Sequence, residues 1–254
     1  MKKTMNVLAL LGSLAMVSHA ACAEIPSALC SKTLPDQAAL EAALKAAQAQ
    51  DNGGFALNMW GTIVDRDGIV CAVAMTGAGR GGQWPGSRVI SAQKANTANA
   101  FSLHGLALST ANLYSAVQPG GSLFGLQESN PVNVAAAYKG PSKDYGRAID
   151  PLVGEKIGGV NVFGGGLALY DSTGKLLGGI GVSGDSSCAD HNIAWRTRLA
   201  LNLDHVPGGV NPTHADDNIV YDISGGASAS GWGHPVCSDA AKAIAEGFAK
   251  AGNR

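Results

Sequence analysis

The chain has 254 residues, of which 46% are hydrophobic and 15% are charged, and its formal net charge is −1. This length is sufficient for one well-buried core, and the lack of a basic excess argues against a nucleic-acid partner, which requires a positively charged face. The apolar run near the N-terminus is too short to span a bilayer as a helix, and no other segment is predicted to cross a membrane.

The first 23 residues predict a signal peptide. Two lysines follow the initiator methionine, an apolar run covers residues 7–17, and Ala21-Cys22-Ala23 is a small-residue cleavage site. A lipoprotein signal would have an aliphatic residue three positions before Cys22, where His19 stands, so we predict simple cleavage after Ala23. We therefore expect a periplasmic or secreted protein with no membrane insertion after cleavage. Loss of the two lysines changes the formal charge to −1 − 2 = −3.

Four cysteines remain after cleavage, namely Cys30, Cys71, Cys188 and Cys237. An even number in an oxidising compartment suggests two disulfides, and buried free thiols are the alternative. Of the three connectivities we favour Cys188–Cys237, which would tie the C-terminal tail to the core, with Cys30–Cys71 as the remaining pair. No pair of cysteines has the short spacing of a structural zinc site, so zinc is not expected.

The elements of the first half follow in order along the chain. An apolar stripe predicts a helix over 35–50, and strands over 55–65 and 69–75 form a hairpin. A glycine-rich loop over 76–87 carries Arg80 and Trp84, and a second helix covers 88–103. We then expect one or two short helices over 106–117, a glycine-rich turn over 118–126 and a surface excursion over 132–151.

A second hairpin joins strands over 162–170 and 175–183. In its second strand one face carries Leu176, Ile180 and Val182, whereas the other carries Gly179 and Gly181 beside Leu177. The glycine face would let a helix, another backbone or a flat ligand approach closely, and it is one reason to expect self-association. A helix should begin near Ser187 or Asp190.

The two hairpins predict an α+β fold whose mainly antiparallel sheet is flanked by helices. We divide the chain into a signal peptide (1–23), one α/β domain (24–201) and a C-terminal arm (202–254) packed on the same domain. The arm is rich in Gly, Asp, Asn and His and closes with a helix over 238–251.

Four short motifs, by their order and spacing along the chain, resemble the GlcG/HbpS family of haem-binding proteins. They are QKANTA (93–98) followed by Phe101, a PGG turn (119–121), GGIGVSGD (178–185) and an Ile-Ala pair in the next helix (193–194). The resemblance covers roughly residues 38–198 and implies a profilin-like α/β/α arrangement, homo-oligomers and haem as a non-covalent cofactor. Some members are linked to corrinoid metabolism. The chain would be an exported, long-tailed member, with a tail, additional cysteines and an excursion over 130–151 that the shortest members lack.

His104 and His191 flank these motifs and are the candidate ligands of a haem iron, since neutral imidazole binds iron well. For each, a surface or core histidine is the alternative. No Cys-x-x-Cys-His run is present, so covalent c-type haem is excluded.

The haem propionates need positive charge or backbone N–H groups. A turn of Gly184, Ser186 and Ser187 at a helix start is a candidate anion site, with Arg80, Arg88 or Lys94 as the counter-charge. Trp84 is a candidate for stacking on the porphyrin, and a tryptophan that plugs the core is the alternative.

Three functions follow in order of preference. The first is haem binding or sensing by an exported protein. The second is a periplasmic binding module for another small molecule, such as an organic acid or a corrinoid, in a pocket between the sheet and the Lys94 helix. The third is an enzyme of unrecognised type: Gly181–Asp185 resembles a hydrolase nucleophile elbow, but Asp185 stands where that motif requires glycine.

Overall fold

The computed structural model describes Cys30 and residues 33–252. The predicted signal peptide and its cleavage site lie outside these residues. In the part of the chain that is described, no helix combines the length and the apolar character needed to span a bilayer.

The described residues contain the following six α-helices and six strands. The helices are α1 (Gln37–Gln48), α2 (Ser87–Phe101), α3 (Leu126–Ser129), α4 (Val134–Ala137), α5 (Ser187–Ala200) and α6 (Asp239–Glu246). The main strands are β1 (Trp60–Asp65), β2 (Val70–Met75), β3 (Gly166–Tyr170) and β4 (Leu176–Ser183), and the short strands β5 (Ile223–Ser224) and β6 (Ala227–Ser228) form a separate ribbon.

The four main strands form one antiparallel sheet in the order β2-β1-β4-β3. The two predicted hairpins are β1–β2 and β3–β4, and they pair with each other along β1 and β4. Helix α2 packs on one face of the sheet, and α1 and α5 pack on the other. The structure therefore confirms the predicted α+β fold with an α/β/α arrangement.

The glycine face of β4 lies directly against the backbone of α2. A Cβ atom at Gly181 would stand 1.9 Å from the Ser91 carbonyl oxygen, and one at Gly179 would stand 2.3 Å from the Ala95 carbonyl oxygen. The predicted close approach is therefore made by a helix of the same chain. This face is covered, so it provides neither a surface for self-association nor room for the small-molecule pocket predicted between the sheet and the Lys94 helix.

The opposite face of the sheet carries the larger part of the apolar core. Ile180 and Val182 of β4 are fully buried among side chains of α1 and α5, including Leu40, Leu44 and Ile193. Helix α1 begins at Gln37, where Asp36 accepts a hydrogen bond from the Ala39 N–H at 2.9 Å and so satisfies one free N–H of the first turn.

Two predicted helices are shorter in the structure. Over 106–117 only a single 3-10 turn forms, at Ser115–Val117, because the Asn112 side chain accepts from both the N–H and the hydroxyl of Ser109 and competes with helical hydrogen bonding. The last helix, α6, ends at Glu246 rather than near 251, and Gly247 caps it.

Both predicted disulfides are present. Cys30 is bonded to Cys71, and Cys188 at the start of α5 is bonded to Cys237 just before α6. The second bond joins the C-terminal arm to the helix that follows the GVSG turn, as the sequence predicted.

Candidate ligand cleft and buried ion pairs

An apolar cleft opens where the loop after β2 meets the excursion between α2 and β3. It has a volume of about 550 Å³ and is lined by Trp60, Arg80, Gly81, Pro85, Gly86, Tyr138, Ser142 and Tyr145. This volume lies within the range of about 300–1,000 Å³ that is usual for small-molecule and cofactor sites. The rings of Tyr138 and Tyr145 and the Arg80 guanidinium give the cleft the chemistry to bind a flat, apolar and anionic molecule, whereas Trp60, 1% exposed, belongs to the core behind them.

Contacts from outside the cleft fix the orientation of two of its rings. The Trp60 indole N–H donates to the Trp84 carbonyl oxygen at 3.0 Å, so Trp84 contributes through its backbone. The Tyr145 hydroxyl donates to the Lys139 carbonyl oxygen at 3.3 Å, and the Arg88 guanidinium carbon lies 3.6 Å from the centroid of the Tyr145 ring. The ring of Tyr145 therefore rests on a buried cation.

Arg88, which we predicted as a propionate partner, is paired inside the protein. Its Nε donates to Asp150 at 3.0 Å, its Nη2 donates to the second carboxylate oxygen of Asp150, and its Nη1 donates to the Ala137 carbonyl oxygen at 2.8 Å. Asp150 also accepts from the N–H groups of Gly146 at 2.7 Å and Leu152 at 2.8 Å. The bidentate pair holds the excursion against the start of α2, beneath the cleft.

Lys94 forms a second buried pair, on α2. Its Nζ lies 2.7 Å from a carboxylate oxygen of Asp190 and 3.2 Å from the Val182 carbonyl oxygen. Burial raises the pKa of Asp190 to about 6, although Lys94 acts in the opposite direction. Lys94 thus joins α2 to the first turn of α5. The sequence signal for Asp190 as the partner of Lys94 was its place near the start of a helix, where a negative charge is favourable.

The turn before α5 already holds carboxylates of the chain itself. Asp185 accepts from the N–H groups of Phe55, Leu57 and Ser186, and Asp190 accepts from the N–H of Asp185 at 2.9 Å.

The three residues of this turn that we predicted for a propionate have structural contacts. Ser186 caps α5 by accepting from the Ala189 N–H, and the Ser187 hydroxyl lies 3.5 Å from the Cys237 sulfur. Gly184 has a φ of +155°, and a Cβ there would stand 2.5 Å from the Asn58 carbonyl oxygen.

The two candidate iron ligands have opposite surroundings. His104 is exposed in the bend after α2. His191 is fully buried, its Nε2 lies 3.1 Å from the Asn218 side-chain oxygen, and burial lowers its pKa to about 3. Neither histidine lines the cleft. An iron could reach His104 without any rearrangement, whereas reaching His191 would require its surroundings to open.

Sequence reasoning identified Arg80 but missed the aromatic residues beside it. Tyr138 and Tyr145 lie in the segment predicted only as a surface excursion, and Trp60 lies on β1. The available signal was the occurrence of two tyrosines within eight positions of the excursion, on either side of the polar run KGPSKD (139–144).

Residues 36–197 match the family described as haem degrading protein HbpS-like, and no curated protein matches the chain. Similar solved structures include a PduOC:heme complex (24% identity, 66% of this chain and 93% of that chain, TM-score 0.45) and the Klebsiella pneumoniae protein ORFY (24%, 66% and 90%, 0.44). HbpS itself is similar at 17% identity over 65% of this chain and 86% of that chain, with a TM-score of 0.43. Because the matched region spans 197 − 35 = 162 of the 254 residues, the chain belongs to the HbpS-like family, which confirms the resemblance found in the sequence.

Proposed function

We propose that the protein is exported and binds haem non-covalently in the cleft formed by Trp60, Arg80, Tyr138 and Tyr145. The observation that carries the proposal is the family match over residues 36–197, whose description is haem-related. The cleft supports it because the rings of Tyr138 and Tyr145 offer flat apolar surface to a porphyrin.

Arg80 is the cation available to a propionate. It is exposed at the mouth of the cleft and, among the described residues, it has no carboxylate partner. Arg88 and Lys94 differ in this respect because each is buried against a carboxylate of the chain. A guanidinium and a carboxylate form a charge-assisted, often bidentate contact, so Arg80 would orient the macrocycle with its propionates toward solvent.

Tyr138 is the candidate iron donor within the cleft. Its side chain is 67% exposed and lines the cavity, and tyrosine is one of the residue types that hold a haem iron in proteins. His104 remains the accessible imidazole but lies outside the cleft lining. Bound there, haem would supply a redox-active iron, and the chain would supply its orientation and partial exclusion of water.

A haemin titration tests the proposal. The Soret band should shift with saturable stoichiometry, and Tyr138→Phe should alter the band of the bound form. Arg80→Gln should weaken binding by about 1–3 kcal/mol without changing the band. Arg147→Gln is the matched control, because Arg147 is also an exposed arginine but lies outside the cleft.

The titration distinguishes a failure of haem binding from a failure of the cleft assignment. If the wild type shows no saturable shift, haem binding is refuted and the binding module for another small molecule takes its place. If haem binds but only His104→Ala or His191→Ala changes the band, haem binding stands and the cleft assignment is wrong.

The family description favours haem degradation as a second candidate. Bound haem would then lose its Soret absorbance when an oxidant is added, at a rate that Tyr138→Phe or Arg80→Gln changes. A loss rate equal to that of free haemin would refute this activity.

Export and self-association are part of the proposal. Mass spectrometry of the exported protein should find Glu24 as the first residue, and a lipid-modified Cys22 would contradict simple cleavage. Light scattering should give more than the mass of a monomer, and a clean monomer at micromolar concentration would count against assembly.

A further inference from the structure

Three metal-binding side chains converge where the C-terminal arm meets α5, outside the haem cleft. The sulfur atoms of Cys188 and Cys237 and one ring nitrogen of His234 lie within 4.8 Å of one another. The Cys188 sulfur is 4.0 Å from His234 Nδ1. Cys188 and His234 are buried, whereas Cys237 is exposed, so one side of the group faces solvent.

We propose that these three side chains bind a zinc ion when a dithiol reductant opens the Cys188–Cys237 disulfide. Zinc–sulfur bonds of about 2.3 Å and zinc–nitrogen bonds of about 2.0–2.1 Å in a tetrahedron place a sulfur and a nitrogen about 3.6 Å apart. The present separation of 4.0 Å is close to that value, and the two sulfurs, now bonded to each other, would separate to about 3.8 Å in the same tetrahedron. The spacing of the cysteines alone did not indicate this site, but His234 and Cys237 have a His-x-x-Cys spacing that suits one metal.

The surroundings of the two sulfurs resemble those of metal-bound thiolates. The Cys188 N–H donates to the Cys237 sulfur at 3.2 Å, and the Cys237 N–H donates to the Cys188 sulfur at 3.2 Å. The Cys237 sulfur also lies at the N-terminal end of the 14-residue helix α5, where partial positive charge favours an anion. Backbone donors of this kind hold metal ligands in place.

The reaction balances without an additional oxidant. The reductant gives two electrons and two protons to the disulfide, becomes a disulfide itself and leaves two thiols on the protein. Zinc then displaces one proton from each thiol. His234 now donates from Nδ1 to the Pro235 carbonyl oxygen at 2.7 Å, and its Nε2 accepts from the Gly164 N–H at 3.4 Å. Coordination through Nδ1 therefore requires the proton on Nε2, loss of the Gly164 contact and a rotation away from the Pro235 carbonyl. Because Cys237 is exposed, water can complete the tetrahedron.

The test uses Cys30→Ser/Cys71→Ser protein, because Cys30, Asp65 and Cys71 form a second group of possible ligands. The oxidised and reduced forms are compared by competition for Zn²⁺ with a chromophoric chelator and by the spectrum with Co²⁺. The reduced form should bind one ion with thiolate-to-cobalt charge-transfer bands, and the oxidised form should not.

Three variants assign the ligands. Cys188→Ser and Cys237→Ser should abolish tight binding. His234→Ala should weaken it by more than about tenfold, because even outer-sphere changes cost roughly 10–100-fold in metal affinity. His205→Ala is the matched control, because this arm histidine is not in the cluster.

Three results would overturn the proposal: equal affinities of the oxidised and reduced forms, one ion bound without thiolate bands, or an effect of His234→Ala no larger than that of His205→Ala. The comparison of oxidised with reduced protein needs no substitution in the cluster, so it still tests the proposal if Cys188→Ser, Cys237→Ser or His234→Ala fails to fold. If Cys30→Ser/Cys71→Ser fails to fold, the same comparison is made with the wild type, where loss of the cobalt charge-transfer bands in His234→Ala, but not in His205→Ala, identifies the ion bound at this cluster.

Discussion

The buried Arg88–Asp150 pair gives the sharpest test of what Arg88 does. The sequence predicted a propionate partner, but in the structure the two side chains are 2% and 0% exposed and support the excursion that carries Tyr145. Replacement of Arg88 by Met removes three hydrogen bonds and leaves the Asp150 carboxylate buried without its counter-charge.

The magnitude follows from the contacts that remain. Breaking a buried ion pair by removing one partner costs about 3–5 kcal/mol. Asp150 would keep the N–H groups of Gly146 and Leu152, so we expect a value near the lower end, about 3 kcal/mol. At roughly 2–4 °C per kcal/mol for a chain of this size, the Tm should fall by about 6–12 °C.

Urea unfolding followed by circular dichroism measures this loss. Arg88→Met/Asp150→Asn should be more stable than Arg88→Met alone, because the unpaired buried charge is gone while the amide oxygen can still accept from a backbone N–H. Lys139→Met is the matched control, since the Lys139–Glu155 pair is 56% and 31% exposed and should contribute less than about 1 kcal/mol.

One result would refute the reasoning. If Arg88→Met unfolds within about 1 kcal/mol of the wild type, as an exposed pair would, but loses haem affinity, then Arg88 serves the ligand rather than the fold.

Three further predictions concern α5 and the strand before it. Gly181→Ala should cost about 1–3 kcal/mol or more, because its Cβ would meet a backbone carbonyl of α2 at 1.9 Å; Gly79→Ala, with nothing within 4 Å, should change the urea midpoint little. Ser186→Ala removes the cap of α5 and should lower the free energy of unfolding by about 1 kcal/mol, and an unchanged midpoint would contradict the cap. Burial lowers the pKa of His191 from 6.5 to about 3. Between these two pH values the unfolded chain binds a proton at His191 that the folded chain does not. The contribution of this ring to stability is therefore lost as the pH falls from about 6.5 toward 3. As the pH falls through that range, the free energy of unfolding of His191→Gln should rise relative to that of the wild type by up to about 1.4 kcal/mol per pH unit. A difference that is independent of pH would show that the ring is accessible.

The sequence alone determined the features that depend on residues close together in the chain. Turn residues between alternating strands located both hairpins, and the parity of Gly179 and Gly181 showed that something must approach β4 closely. The order of short motifs was sufficient to identify the family. Both disulfide pairs were predicted, because pairing the tail cysteine Cys237 with Cys188 of the core leaves only Cys30 and Cys71.

The tertiary structure alone decided which charges are free and which rings share a cavity. Arg80, Arg88 and Lys94 are similar cations in the sequence, but Arg88 and Lys94 meet carboxylates 62 and 96 positions away. Likewise the cleft brings together Trp60 and Tyr138, which are separated in the chain by β2, α2 and the start of the excursion. Such pairings depend on how the helices pack on the sheet, since a buried charge is tolerated only where a partner compensates it. That partner is distant in the chain, so the spacing of neighbouring residues does not indicate it.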